Sequence, residues 1–115
     1  MGFYTFKLIN LGTIAAGNTT SGSWTSDDDY IIKRIYFVET TSTAVGARFL
    51  AATLRVDGYT FTKDSVNLDL FDGYTNQVPE LDIAFTKGRT LYYSVTNNHG
   101  SSDISGHLIL ELWKS

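Results

Sequence analysis

The acidic triplet Asp27-Asp28-Asp29 is the densest concentration of potential chemistry in the chain, and it stands directly before the apolar run Tyr30-Ile31-Ile32. Carboxylates gathered in a loop are what Ca²⁺ collects, about six to eight oxygens at a time. Calcium loops space their acids as D-x-D-x-D so that alternate side chains point inward. Three in succession direct the middle one away, and no glycine follows to tighten the turn. The triplet therefore reads as a solvated turn, in which Asp caps backbone amides and discourages edge pairing beside an apolar strand. The two histidines, His99 and His107, have neither the spacing of a zinc site nor a G-x-S-x-G nucleophile elbow to serve. Carboxylate pairs for glycoside hydrolysis could be drawn from Glu39, Asp57, Asp64, Asp69 or Asp82, but any β protein with twelve acids offers such pairs by chance. The expectation is a protein that is not an enzyme, with no catalytic residues, no cofactor and no metal.

Aromatic side chains are the richer resource. Trp24, Tyr36, Tyr59, Tyr74, Tyr92 and Trp113 are the candidates for an interface or a ligand surface. Exposed Tyr and Trp are enriched where subunits meet, and a flat row of such rings could equally stack on sugars. A single N-x-T sequon at Asn18-Thr19-Thr20 reads as accidental, because the N-terminus has no charged leader or long apolar core of a signal peptide.

The elements that must position these residues are strands. With 115 residues, 43% apolar and 18% charged, the chain is one globular domain spanning 1–115. A net charge of -3 excludes a basic footprint for duplex nucleic acid, and it disfavours single strands on an aromatic sheet face. There is no cysteine, hence no disulfide framework or thiolate metal site. No run approaches the roughly 20 apolar residues of a membrane helix, so membrane insertion is not expected and the chain reads as soluble.

Period-two alternation recurs along the chain. In 104–113, Ile104, Gly106, Leu108, Leu110 and Leu112 face one way and Ser105, His107, Ile109, Glu111 and Trp113 the other. Similar patterns set Leu91, Tyr93 and Val95 against their neighbours, Leu50, Ala52, Leu54 and Val56 against theirs, and Tyr4, Phe6 and Leu8 against Phe3, Thr5 and Lys7. Shorter strands are predicted at 11–16, 59–62, 66–71 and 81–85, and a longer one at 30–39. The Ser/Thr/Gly-rich patch 17–26 is too short for a linker. Asp57-Gly58 predicts a two-residue hairpin with both residues at positive φ, and Asp72-Gly73 and Lys87-Gly88 mark further turns. About eight strands predict an all-β antiparallel sandwich, and their mix of lengths favours jelly-roll topology. An immunoglobulin-like sandwich is second, since no Cys…Trp…Cys framework is present.

The segments LGTIAAGNTTSG, DDDYIIKRIYF, TLRVDGYTF and FTKGRTLYYSVTN, taken in order, resemble small single-jelly-roll proteins of virus particles: the penton, vertex or minor capsid components of icosahedral viruses. The resemblance implies a structural role in a virion, with other virion proteins as partners. The chain departs from many capsid proteins in lacking a basic N-terminal arm, which suits a position away from the genome. The residues add their own argument for self-association. Tyr30 to Val38 carries Ile31, Ile35 and Phe37 on one side and Ile32, Tyr36 and Val38 on the other, and a sandwich interior takes only one such set. A homo-oligomer follows, most simply a ring of three or five. A carbohydrate-binding, lectin-like or receptor-binding module is the alternative, with a glycan as its ligand.

Overall fold

The computed structural model of the protein describes residues 2–57, 59–60, 62, 64–73 and 77–115. Among the described residues nine strands follow one another: β1 (Phe3–Ile14), β2 (Thr19–Thr25), β3 (Tyr30–Glu39), β4 (Leu50–Val56), β5 (Tyr59–Thr60), β6 (Val66–Asn67), β7 (Ile83–Phe85), β8 (Thr90–Asn97) and β9 (Ile104–Lys114). They build two antiparallel sheets packed face to face, the first in the order β1-β9-β3-β7 and the second in the order β2-β8-β4-β5. β6 also pairs with β4, at Ala51 and Ala52, while β5 pairs at Arg55 and Val56 and β8 occupies the other edge of β4. The two short strands thus share one position, and the sandwich has four strands' width on each side. Pairing is nested: β1 with β9, β2 with β8, β3 with β7, β4 with β5.

The core lies between the sheets, and the central strands obey the alternation. Ile104, Leu108, Leu110 and Leu112 of β9 are buried, as are Leu50, Ala52, Leu54 and Val56 of β4 and Leu91 and Val95 of β8. Gly106 faces inward with them, because a Cβ there would strike the Phe37 ring and come within 3.0 Å of the Val38 carbonyl oxygen. Elsewhere the pattern breaks. A register shift between Ile32 and Arg34 changes the phase of β3, so Ile32 joins Ile35 and Phe37 in the core while Ile31 turns outward with Tyr36 and Val38. That corrects the sets expected from strict alternation. A second shift, between Asn10 and Gly12, lets β1 run on as one strand through the predicted 11–16 segment and buries Ile9, Leu11 and Ile14.

Four further expectations are corrected. The hydroxyl-rich patch 17–26 contains a strand, β2, whose Thr20, Gly22 and Trp24 pair with the inward Val95, Tyr93 and Leu91. Residues 66–71 form only two residues of strand before a 3₁₀ turn over Leu68–Phe71, which buries Leu68 and Phe71 at i, i+3 and leaves Leu70 exposed. The strand expected at 81–85 shrinks to Ile83–Phe85, because Asp82 is in the left-handed region at φ 52°. Val56 pairs with Tyr59 as a two-residue hairpin requires, and Gly58 lies outside the described residues. Asp57, however, is not at positive φ; Asp82 is the one described non-glycine residue that is. Instead Asp57 accepts the Thr90 N–H with its carboxylate (3.0 Å) and donates its own N–H to the Thr90 carbonyl (3.2 Å).

One end of the sandwich is tied by a single buried amide. Asn97, fully buried, donates from Nδ2 to the carbonyls of Ile14 and Ser102, both at 2.9 Å, and accepts the His99 N–H at Oδ1, also at 2.9 Å.

Candidate interaction surface

The outer faces of the two sheets differ in chemistry. On the first sheet, register places Tyr4 beside Trp113, Phe6 beside Glu111 and Leu8 beside Ile109, and on the other flank Ile31 beside Trp113, Tyr36 beside Ile109 and Val38 beside His107. Cross-strand neighbours share a face, so three strands pool their apolar side chains outside the core. Phe6 is 62% exposed, Tyr4 50%, Leu8 48%, Val38 40% and Ile31 38%. Trp113 packs its indole on the Tyr4 ring, centroids 4.7 Å apart, and covers Gly2, where a Cβ would run into the indole. A depression of about 300 Å³ bounded by Tyr36, Val38, Gly73 and Ile109 borders the patch. Charges on this face are internally matched. Arg34 meets Glu111 at 3.4 Å, the Tyr36 hydroxyl lies 3.5 Å from the same carboxylate, and Lys33 pairs with Glu80 (2.9 Å) and with Asp82. Those two carboxylates, Asp82 first, hold the Lys33 ammonium well above its ordinary pKa.

On the second sheet the outer face carries hydroxyls. Thr19 bonds Thr96 (2.7 Å), Ser21 bonds Ser94 (3.3 Å) and Thr25 bonds Thr90 (2.9 Å) across the β2–β8 pair. Tyr92 lies on this face with the Arg55 guanidinium over its ring at 4.2 Å.

The aromatics singled out in the sequence therefore separate. Trp113 and Tyr36 join the apolar face of the first sheet, and Tyr92 belongs to the hydroxyl face. Trp24, expected in a loop or on a polar face, lies on the inner side of β2 against Phe85 (5.6 Å), with the Lys7 ammonium 5.4 Å above it. It is a ring at the core's edge. Tyr59 is placed in β5 by its backbone, and Tyr74 lies outside the described residues. The residues that the candidate set missed are Tyr4, Phe6 and Leu8, and their signal was an apolar alternation that continues past the point where a buried strand could use it.

The titratable groups are engaged locally. Asp28 bonds the Lys114 ammonium at 2.7 Å and caps the Asp29 N–H at 2.8 Å, and Asp29 accepts the Lys87 N–H at 2.9 Å. The triplet forms the bend between β2 and β3, and it joins β3 to the end of β9 and to the β7–β8 turn. The Lys114 contact holds the Asp28 carboxyl below its ordinary pKa, and the same contact raises that of Lys114. Burial, with Asp27 nearby, pushes the Tyr30 phenol up. Among the described residues no three Asp, Glu or His side chains converge as a metal site requires. His99 accepts the N–H groups of Ser101 (3.1 Å) and Ser102 (2.9 Å) at Nδ1 and packs edge-on against Phe49. Glu39 accepts the N–H groups of Val45 and Gly46, closing the loop after β3. Among the described residues no helix is long and apolar enough to cross a membrane. In comparison with known proteins, no family model matches the chain and no curated protein matches its sequence.

Proposed function

We propose that the protein is a structural, self-associating jelly-roll subunit, a vertex or minor capsid component of a virus particle, whose copies pack through the outer face of the first sheet. Jelly-roll topology is supported by the nested pairing: each strand counted from the start meets its counterpart counted from the end, as when one long hairpin is rolled into two four-stranded layers. Self-association rests on one observation, the five apolar side chains of β1 and β3, on either side of β9, that stand 38–62% exposed on one face. Rings and aliphatic side chains so exposed leave an apolar area of roughly 500 Å², at the upper end for a monomer's largest patch and over half of one partner's share of a standard interface. The patch runs to the open edge of β1, and set against a different surface of the next copy it closes into a ring of three or five. Other virion proteins are the further partners, and the virion is the location. The role is architectural, not catalytic: the imidazole of His99 serves its own turn, and His107 sits on the outer face between Asn10 and Val38.

Sedimentation equilibrium on the whole chain tests the reading. The parent is expected as a discrete trimer or pentamer at micromolar concentration, and Phe6→Asp with Leu8→Asp as a monomer that melts as a folded protein does. Both side chains lie outside the core, so the double variant keeps its fold. A parent that sediments as a 12.8 kDa monomer throughout would refute self-association.

A further inference from the structure

We propose that the outer face of the second sheet binds an acidic sugar, with Arg55 taking the carboxylate and the neighbouring hydroxyls taking the ring oxygens. The site is on the sheet opposite the apolar patch and does not rest on the reading of that patch.

Three strands set it out as two rungs. One reads Ser23, Tyr92, Arg55 and the next Ser21, Ser94, Thr53, from β2 through β8 to β4. Neighbouring strands stand about 4.8 Å apart and alternate residues about 6.8 Å along, so these side chains form a grid on the scale of one hexose. Four hydroxyl side chains flank Arg55 and Tyr92 there. A depression of about 240 Å³ lies over five of the six, all but Ser23, below the roughly 300–1,000 Å³ that larger ligands occupy and apt for a single ring. Gly22 belongs to its lining by its backbone alone, since a Cβ there would point inward into the Tyr93 side chain.

Arg55 supplies the charge preference. It is exposed, and its guanidinium is held over the Tyr92 ring at 4.2 Å, which fixes a side chain that would otherwise lose rotamer freedom on binding. Among the described residues it makes no ion pair, while Lys33, Arg34 and Lys114 each do. Asp57, the acid nearest to it in sequence and one residue past β4, is engaged by the Thr90 N–H. A planar fork of donors suits a carboxylate taken in two parallel hydrogen bonds. Neutral sugars would use the hydroxyls and the part of the Tyr92 ring that Arg55 leaves uncovered, without the ionic contact. The ligand class is thus a uronic or sialic-type acid within a surface glycan.

Backbone amide NMR on the full chain, titrated with glucuronate, N-acetylneuraminate, glucose and acetate, decides it. An acidic sugar should shift the resonances of Thr53, Arg55, Tyr92 and Ser94 saturably, and glucose should do so at least about tenfold more weakly for want of the charged hydrogen bonds. Arg55→Lys should weaken the acidic sugar about tenfold by losing the bidentate geometry. Thr53→Val, a change at an exposed position that leaves Arg55 in place, should weaken sugar binding and leave acetate unchanged. Equal binding of glucose would overturn the proposal. So would acetate that saturates the same resonances as tightly as glucuronate, or the absence of any shift at those four positions.

Discussion

Replacing Asn97 with alanine should lower stability more than any change of comparable size on the surface. The amide is fully buried and makes three hydrogen bonds near 2.9 Å, to Ile14, Ser102 and His99. Alanine strands the buried Ile14 carbonyl and leaves the half-buried Ser102 carbonyl and His99 N–H without this partner. At about 1 kcal/mol for each, the loss is roughly 3 kcal/mol. For a chain of this length that is a fall in Tm of roughly 12 °C. Asn97→Asp makes the sharper test, because it keeps the shape but turns both Nδ2 donors into acceptors facing two carbonyl oxygens. The aspartate variant should be the less stable of the two at neutral pH. Urea unfolding at one fixed protein concentration gives both numbers, read as a shift in midpoint at unchanged m-value. An alanine variant within about 0.5 kcal/mol of the parent, inside the range of ordinary surface changes, would refute the idea that this amide holds the end of the sandwich.

Gly106→Ala should cost roughly 1–3 kcal/mol, since the new methyl meets the Phe37 ring and the Val38 carbonyl and the core must shift; chemical denaturation reads it directly. The Asp28–Lys114 contact makes a pH prediction. Asp28 has its folded pKa depressed, so its contribution is present above the unfolded value of about 3.9 and is lost as pH falls through the folded one. Lys114 has its folded pKa raised, so its contribution is present below about 10.4 and is lost as pH rises through the folded value. Lys114→Met should therefore bring the ¹³C-detected titration of the Asp28 carboxyl back up toward the ordinary range, and no change there would show the contact to be absent in solution. Treatment with EDTA should leave the melting temperature unmoved, because the carboxylates of Asp28 and Asp29 are engaged with Lys114 and with backbone amides; a fall of several degrees would mean a bound cation.

The central strands were legible in the sequence because both sheet neighbours and the core constrain them: β4, β8 and β9 follow their alternation without a slip. Edges and bulges were not. β2 was hidden because a strand with one polar face at a sheet edge can be built from Ser and Thr, whose hydroxyls pair across to β8 rather than advertise a core. Nothing in YIIKRIYFV marks Lys33 as the residue at which phase changes, since only pairing with β9 and the clamp of Leu81 N–H on the Lys33 carbonyl (2.7 Å) reveal it. The apolar excess on β3 did signal an uncovered face. Its continuation through Tyr4, Phe6 and Leu8 depended on the β1–β9 register, which lies beyond local pattern. Trp24 was misplaced for a related reason: a large ring among small polar residues looks exposed until its strand partner, the buried Leu91, is known.

The nested pairing also bears on how fast the chain reaches this structure. Its contacts form a ladder of increasing reach: Val56 meets Tyr59, Ile31 meets Ala84, Thr20 meets Val95 and Tyr4 meets Trp113. Only the innermost rung is local, and each later one closes a larger loop unless the rung inside it has already brought the strands together. Folding should therefore be slow for a domain of this size, on the order of milliseconds to seconds. It should advance as a zipper from the β4–β5 turn outward, with the β1–β9 pair formed after the rate-limiting step. Substitutions at Leu8 or Ile109 would then accelerate unfolding and leave the refolding rate alone, while those at Val56 would slow refolding. Until that last rung closes, the core-facing Ile9, Leu11 and Ile14 of β1 and the edge that will pair with β9 are both in water, so a newly made chain is most prone to pair with the wrong neighbour just before it is finished.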